Sequence, residues 1–160
     1  MKKIKIFASD VDGVMTDGSM YYLNSGDSMK RFNAKDGMGL VMLKDSGVKT
    51  AIITAETSNI VERRAEKIKT DFLHQGVKDK LSCAKEMLEA IGMDFSEMSY
   101  IGDDVNDIPL LRAAALRACP ADAADEVKAL EGIIVLSKNG GFGAVREFAQ
   151  MVLKLNSQAK

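Results

Sequence analysis

Two aspartates one residue apart, Asp10 and Asp12, close the apolar run Ile4–Ala8 and are followed at once by Gly13. Side chains alternate across a strand, but where the backbone turns at a strand's C-terminal end both carboxylates can face one crevice. Two close carboxylates repel unless a cation or a shared proton compensates them. That pairing suits Mg2+, which takes oxygen ligands and keeps waters for a substrate phosphate. It also supplies a nucleophile and an acid/base partner. The competing reading is a solvated Asp-x-Asp-Gly turn. A second cluster argues against it: Ser99-Tyr100-Ile101-Gly102 leads into Asp103, Asp104 and Asp107. Between the two, Ala51-Ile52-Ile53 ends on the hydroxyl of Thr54, and Lys80 stands at the start of an expected helix. Polar residues just past the ends of three apolar strands mark the ligand crevice of an open parallel α/β sheet. Together they describe a site for a phosphate ester and Mg2+.

The elements that must position these groups alternate along the chain. Periodicity predicts strands over 4–9, 49–53, 71–73, 98–102, 116–118 and 133–136. It predicts helices over 37–46, 57–69, 80–91, 107–113, 124–129 and 143–155. The alternation reads as α/β, a Rossmann-like doubly wound, mainly parallel sheet. Val61, Ala65 and Ile68 form one apolar helix stripe, and Gly47 and Gly92 suit helix C-termini. Residues 18–33 break the pattern: Met20, Tyr22 and Leu23, a turn at Asn24-Ser25-Gly26-Asp27, then Met29, Arg31 and Phe32 read as a β-hairpin. Such a hairpin cannot bury its own apolar side chains, so it folds back or pairs with other subunits. The expectation is one domain over 1–160 with this insertion and no large cap. The tail Asn156–Lys160 is expected to fray.

Composition narrows the function classes. Net charge is −1 at neutral pH, with no basic stripe for nucleic acid, so no nucleic-acid partner is expected. No apolar run approaches the roughly 20 residues a bilayer span needs. The N-terminal lysines precede neither a long apolar stretch nor a cleavage site, so the expected compartment is the cytoplasm, without membrane attachment. Cys83 and Cys119 are too few for a disulfide framework and are expected reduced and buried. His74, the one histidine, follows Phe72-Leu73 and is expected to be structural, which leaves no histidine-based metal site or triad.

The ordered motifs Asp10-Val11-Asp12-Gly13-Val14-Met15-Thr16, Thr54, Lys80 and Gly102-Asp103-Asp104-Val105-Asn106-Asp107 resemble those of the haloacid dehalogenase superfamily of phosphotransferases over nearly the whole chain. The resemblance implies that Asp10 attacks phosphorus to form an aspartyl-phosphate, for which a carboxylate needs no activating base. It implies that Asp12 protonates the leaving sugar oxygen and then deprotonates water. Mg2+ would be held by the side chains of Asp10 and Asp103 and the backbone carbonyl of Asp12. Thr54 and Lys80 would hold the phosphoryl oxygens. Asp104 or Asp107 would orient Lys80 and metal waters, or else serve as helix caps and first-turn acids.

The missing cap, the hairpin after the first motif, Lys35-Asp36-Gly37-Met38-Gly39 and Gly140-Gly141-Phe142-Gly143-Ala144-Val145-Arg146-Glu147 resemble the phosphatases of ulosonic acid phosphates. Members of that group form homotetramers whose hairpins associate centrally, a neighbouring subunit closing each site. An eight-carbon branch acts on 3-deoxy-D-manno-octulosonate 8-phosphate, and a nine-carbon branch on KDN or N-acetylneuraminate 9-phosphate. Glu56 after Thr54, with Arg64 and Lys67 on the next helix, looks like the nine-carbon branch. There a cation would pair with the substrate carboxylate and Glu56 would accept from sugar hydroxyls. The plain alternatives are a solvated helix face for Arg63, Arg64 and Lys67, and a first-turn acid for Glu56. Two positions depart from the group's pattern. Ala55 replaces a glycine, which would strain any positive φ, and Phe142 replaces an arginine of the eight-carbon enzymes. The expected function is therefore a nonulosonic acid 9-phosphate phosphatase. The alternatives are octulosonate 8-phosphate hydrolysis and, in another class, a non-catalytic oligomerisation module.

Overall fold

The computed structural model describes residues 2–24 and 28–159. Its strands in chain order are β1 (Ile6–Ser9), β2 (Tyr21–Tyr22), β3 (Ser28–Met29), β4 (Lys49–Ile53), β5 (Phe72–His74), β6 (Met98–Ile101), β7 (Leu116–Cys119) and β8 (Ile134–Val135). The helices are α1 (Ala34–Asp45), α2 (Asn59–Ile68), α3 (Lys80–Ala90), α4 (Ile108–Ala113), α5 (Asp125–Lys128) and α6 (Ala144–Gln158). Six strands form one parallel sheet in the order β5-β4-β1-β6-β7-β8. The expected α/β class and every sheet strand are present.

Parallel strands covered on both faces bury both sets of side chains, and these do. Phe7, Ile52 and Ile101 face one apolar cluster with Leu40 and Leu43 of α1, Val61 and Ala65 of α2, and Phe148 and Val152 of α6. Ile6, Ala8, Ile53 and Tyr100 face the other, with Leu88 of α3, Leu111 of α4 and Val127 of α5. The rings of Phe7 and Phe148 meet at 5.3 Å between centroids. From central β1 the chain runs outward to β4 and β5 on one side, then returns to build β6, β7 and β8 on the other. The reversal beside β1 is where open α/β sheets place their ligands.

Several boundaries move. Helix α1 starts at Ala34 rather than 37, because Asn33 caps it by accepting from the Lys35 N–H at 2.8 Å. Gly37 and Gly39, already inside the expected helix, are glycines because neighbouring chain comes close. A Cβ at Gly37 would stand 2.5 Å from the Arg64 guanidinium, and one at Gly39 would stand 3.0 Å from the Arg146 Cα. The expected fraying from Asn156 is also corrected. Helix α6 runs to Gln158, and the Asn156 amide accepts from the Ile4 N–H at 2.8 Å and donates to its carbonyl at 2.7 Å. Gly47 and Gly92 follow α1 and the α3 cap with φ of 79° and 67°, as expected of helix termini. Cys119 is buried and Cys83 only half-buried, both unpaired.

The hairpin forms, reduced to two residues per strand, with Tyr21 opposite Met29 and Tyr22 opposite Ser28. Ser25, Gly26 and Asp27 of the expected turn lie outside the described residues. Met20, Tyr21, Tyr22, Leu23 and Met29 are all exposed. Among the described residues no helix is long and apolar enough to cross a membrane.

Candidate active site

Sheet register brings the motifs level. Ser9, the last residue of β1, pairs with Ile52 on one side and Ile101 on the other. Asp10, Thr54 and the Gly102-Asp103 corner therefore emerge side by side, and the Asp10 N–H donates to the Ile101 carbonyl at 3.1 Å. Beyond Asp10 the chain doubles back: the N–H groups of Val14, Met15 and Thr16 all donate to the Val11 carbonyl at 2.8–3.2 Å. Asp79 caps α3, accepting from the Ser82 N–H at 3.0 Å, and so sets Lys80 as the first residue of that helix.

Lys80 is fully buried, with its ammonium 2.8 Å from Asp10 and 2.6 Å from Asp107. Burial opposes its charge, yet the two carboxylates outweigh that and hold its pKa above the ordinary lysine value. Asp107 is saturated: it accepts from Lys80, from the Tyr100 hydroxyl at 2.6 Å, and from the N–H groups of Asp103 at 2.9 Å and Asp104 at 3.3 Å. Of the two roles open to Asp107 from sequence, it therefore orients Lys80. Asp104 is a cap, accepting from the Val105 N–H at 2.7 Å.

Carboxylate oxygens of Asp10, Asp103 and Asp107 lie within 4.8 Å of one another. Three carboxylates share one ammonium in a nearly dry crevice. Burial, with the charge of Asp107, pushes Asp10 up to about 7, and burial, with the charge of Asp10, pushes Asp103 up to about 8. That imbalance is what a divalent cation cancels, so the donors fit Mg2+. With Asp107 saturated, the available oxygens are those of Asp10 and Asp103. Gly13 makes room for the latter: with φ of 84°, a Cβ there would stand 2.0 Å from Asp103 Oδ2. The Gly140-Gly141 pair backs this loop in turn, since a Cβ on Gly140 would meet the Gly13 carbonyl at 1.9 Å.

A cleft of ≈ 180 Å3 opens over these groups, lined by Asp10, Asp12, Met20, Thr54, Ala55, Glu56, Asp103, Asp104 and Asn106. Six of the ten predicted site residues line it, and Lys80 and Asp107 lie directly beneath through Asp10 and Asp103. The strain considered for Ala55 does not arise, since Lys69 is the one non-glycine residue of positive φ among those described.

Two predicted substrate-binding residues are not in this cleft. Arg64 donates to the Asn33 carbonyl at 3.0 Å and sits over the Phe32 ring at 5.3 Å, so it braces the start of α1. Lys67, exposed on the last turn of α2, also lies outside the cleft lining. Helical periodicity gave them a common face but not its direction. Phe142 is exposed and stacks under Arg31 at 4.2 Å, while Arg146 packs against α1 at Gly39.

Sequence reasoning missed Lys30, Tyr100, Met20 and Asn106. Tyr100 shows a usable signal, a hydroxyl inside an otherwise apolar strand next to the acid cluster. Lys30 shows none. It lies just after β3, and its buried ammonium pairs with Asp12 only because the hairpin folds back over the cleft.

Comparison with known proteins agrees with this geometry. The haloacid dehalogenase-like hydrolase family matches residues 52–147. The 3-deoxy-D-manno-octulosonate 8-phosphate phosphatase of Yersinia pestis is 37% identical over 150 residues, covering 94% of this chain and 80% of that protein. Its Haemophilus influenzae counterpart is 33% identical over 160 residues, covering 99% and 88%. The Moraxella catarrhalis enzyme, solved in complex with a magnesium ion, a phosphate ion and KDO, superposes with a TM-score of 0.92 at 38% identity, covering 96% of this chain and 88% of that one. The chain belongs to the haloacid dehalogenase-like hydrolases. Within that class it is a phosphoric monoester hydrolase of the ulosonic acid phosphate group, with Mg2+ as its cofactor. These relatives are eight-carbon enzymes, so the nine-carbon expectation drawn from Glu56, Arg64 and Lys67 gives way to its alternative.

Proposed function

We propose that this chain hydrolyses 3-deoxy-D-manno-octulosonate 8-phosphate to the free sugar acid and phosphate. The observation that carries the reading is the Asp10–Lys80–Asp107 chain beneath a cleft whose mouth holds Asp12 and Thr54. Asp10 is the nucleophile. Its Oδ1 accepts from the Val11 N–H at 2.7 Å and its Oδ2 from Lys80, so its aim is fixed before substrate arrives. Attack on phosphorus breaks the bond to the sugar oxygen, which takes a proton from Asp12. Asp12 then accepts a proton from water as it attacks the aspartyl-phosphate, freeing phosphate and Asp10. Thr54 and Lys80 hold the phosphoryl oxygens. Asp10, Asp103 and the Asp12 carbonyl would hold Mg2+, which when bound neutralises charge on the transferring group.

The cleft is smaller than the roughly 300 Å3 at which small-molecule pockets begin. It takes the phosphoryl end, and the sugar needs another wall. The apolar residues exposed on the hairpin support a homotetramer in which a neighbouring copy supplies that wall. Glu56, in the cleft lining and without a side-chain partner among the described residues, favours a second reading, a nine-carbon acid whose extra hydroxyl it would accept from.

Phosphate release by metal-stripped protein, with and without Mg2+, from octulosonate 8-phosphate and the two nonulosonate 9-phosphates tests both readings. Mg2+-dependent preference for octulosonate is the expected result. Preference for a nine-carbon ester selects the second reading, and turnover of none of them rejects both.

A further inference from the structure

Lys30 is the one charged group that the hairpin sends into the catalytic crevice among the described residues. Its side chain is 4% exposed, its ammonium pairs with Asp12 Oδ1, and Met20 Sδ lies 3.7 Å from the same nitrogen. The other Asp12 oxygen, Oδ2, is buried without a partner among the described residues, and Asp12 lines the cleft. One carboxylate oxygen is thus clamped, while the other has no protein donor among the described residues and belongs to a side chain at the cleft lining.

We propose that Lys30 is a positioning residue for proton transfer, fixing Asp12 through Oδ1 so that Oδ2 meets the leaving oxygen. The inference rests on the acid–base role given to Asp12 above. A carboxylate on a strand-end loop has free χ rotation, and a buried donor on one oxygen removes it. The polar partners of Lys30 among the described residues are Asp12 and Met20, and the phosphoryl group is assigned above to Asp10, Thr54 and Lys80. Because Lys30 lies directly after β3, the hairpin itself sets the geometry of the acid.

The step that Lys30 assists matters only when the departing oxygen needs a proton. An alkyl or sugar oxygen does; p-nitrophenolate leaves without one. The test compares Lys30→Met with wild type on octulosonate 8-phosphate and on phenyl phosphates of graded leaving-group acidity, ending at p-nitrophenyl phosphate. General acid catalysis is worth about 10²–10⁴-fold. A loss of about 10-fold or more in kcat on the sugar ester, shrinking to less than about 3-fold on p-nitrophenyl phosphate, is expected. Lys30→Arg should recover part of the loss, and Lys30→Met added to Asp12→Asn should cost nothing more. Equal losses on all esters, a change in KM alone, or an additive loss in the double variant would overturn the proposal. Circular dichroism checks folding; should Lys30→Met unfold, Lys30→Arg with the same ester series decides. If wild type ignores octulosonate 8-phosphate, the substrate reading fails while the phenyl series still tests Lys30.

Discussion

Asp107 never meets the cleft, yet more of the site depends on it than on any other single side chain. All four of its neighbours donate: an ammonium, a phenol and two backbone N–H groups. An amide cannot replace it, because its NH2 would have to face a donor. Asp107→Asn is expected to cost about 1–3 kcal/mol of stability, the range for a buried unsatisfied polar group. It should also lower kcat by at least about 10-fold through a displaced Lys80; urea melts and phosphate release check the two effects. Tyr100→Phe removes one of four donors and should cost about 1 kcal/mol with smaller kinetic effect. Gly13→Ala places a methyl group on Asp103 Oδ2. It should weaken Mg2+ binding, read by calorimetry, more than it lowers the melting temperature. At this scale the acidic motifs were legible because strand, glycine and aspartate are local punctuation. Lys30 was not, since its partner is eighteen residues away across a fold-back. Nor was the outcome at Arg64, because a guanidinium on a half-buried helix face can serve a ligand or brace a neighbouring helix with the same spacing.

Elements are joined here by side chains reaching into backbone. Asn156 of α6 takes both the N–H and the carbonyl of Ile4, just before β1. Asn156→Ala should cost about 1–2 kcal/mol, with a fall in melting temperature of about 2–4 °C per kcal/mol for a chain of this size. Asp71, between α2 and β5, accepts from the N–H and hydroxyl of Thr50 at 2.8 Å and 3.1 Å, with Lys44 at 3.4 Å. Burial works against its charge, but the Thr50 bonds and Lys44 outweigh it and hold the carboxyl below its ordinary 3.8. A depressed carboxylate stabilises the fold above the unfolded value and loses that contribution as pH falls through the folded one. The stability gap between wild type and Asp71→Asn should therefore be full at neutral pH and close as pH drops below 3.8. Denaturant midpoints across pH measure it. Strand positions were legible because buried parallel strands read as unbroken apolar runs. The start of α1 was not, since its glycines answer to Arg64 and Arg146, which are far along the chain.

For the whole molecule, the outward apolar side chains of the hairpin are the feature that a single copy leaves uncovered. Tyr22 and Met29 are 77% and 62% exposed, and contiguous apolar surface of this kind marks an interface. Tyr22→Glu with Met29→Glu should leave the fold intact by circular dichroism while shifting sedimentation from the proposed tetramer to monomer. If the mass does not change, the hairpin is not the assembly element.

Central β1, finally, bears on how the chain comes to fold. The strand carrying the nucleophile is made first, yet its partners β4 and β6 arrive only with residues 49–53 and 98–101. An apolar strand waiting for two distant neighbours is a nonlocal, slow-forming pairing and a point of aggregation during synthesis. Because Asp10 and Asp103 come together only when β1 joins β6, no partly folded species can turn over substrate. In refolding, activity should return no earlier than the last rise in ellipticity.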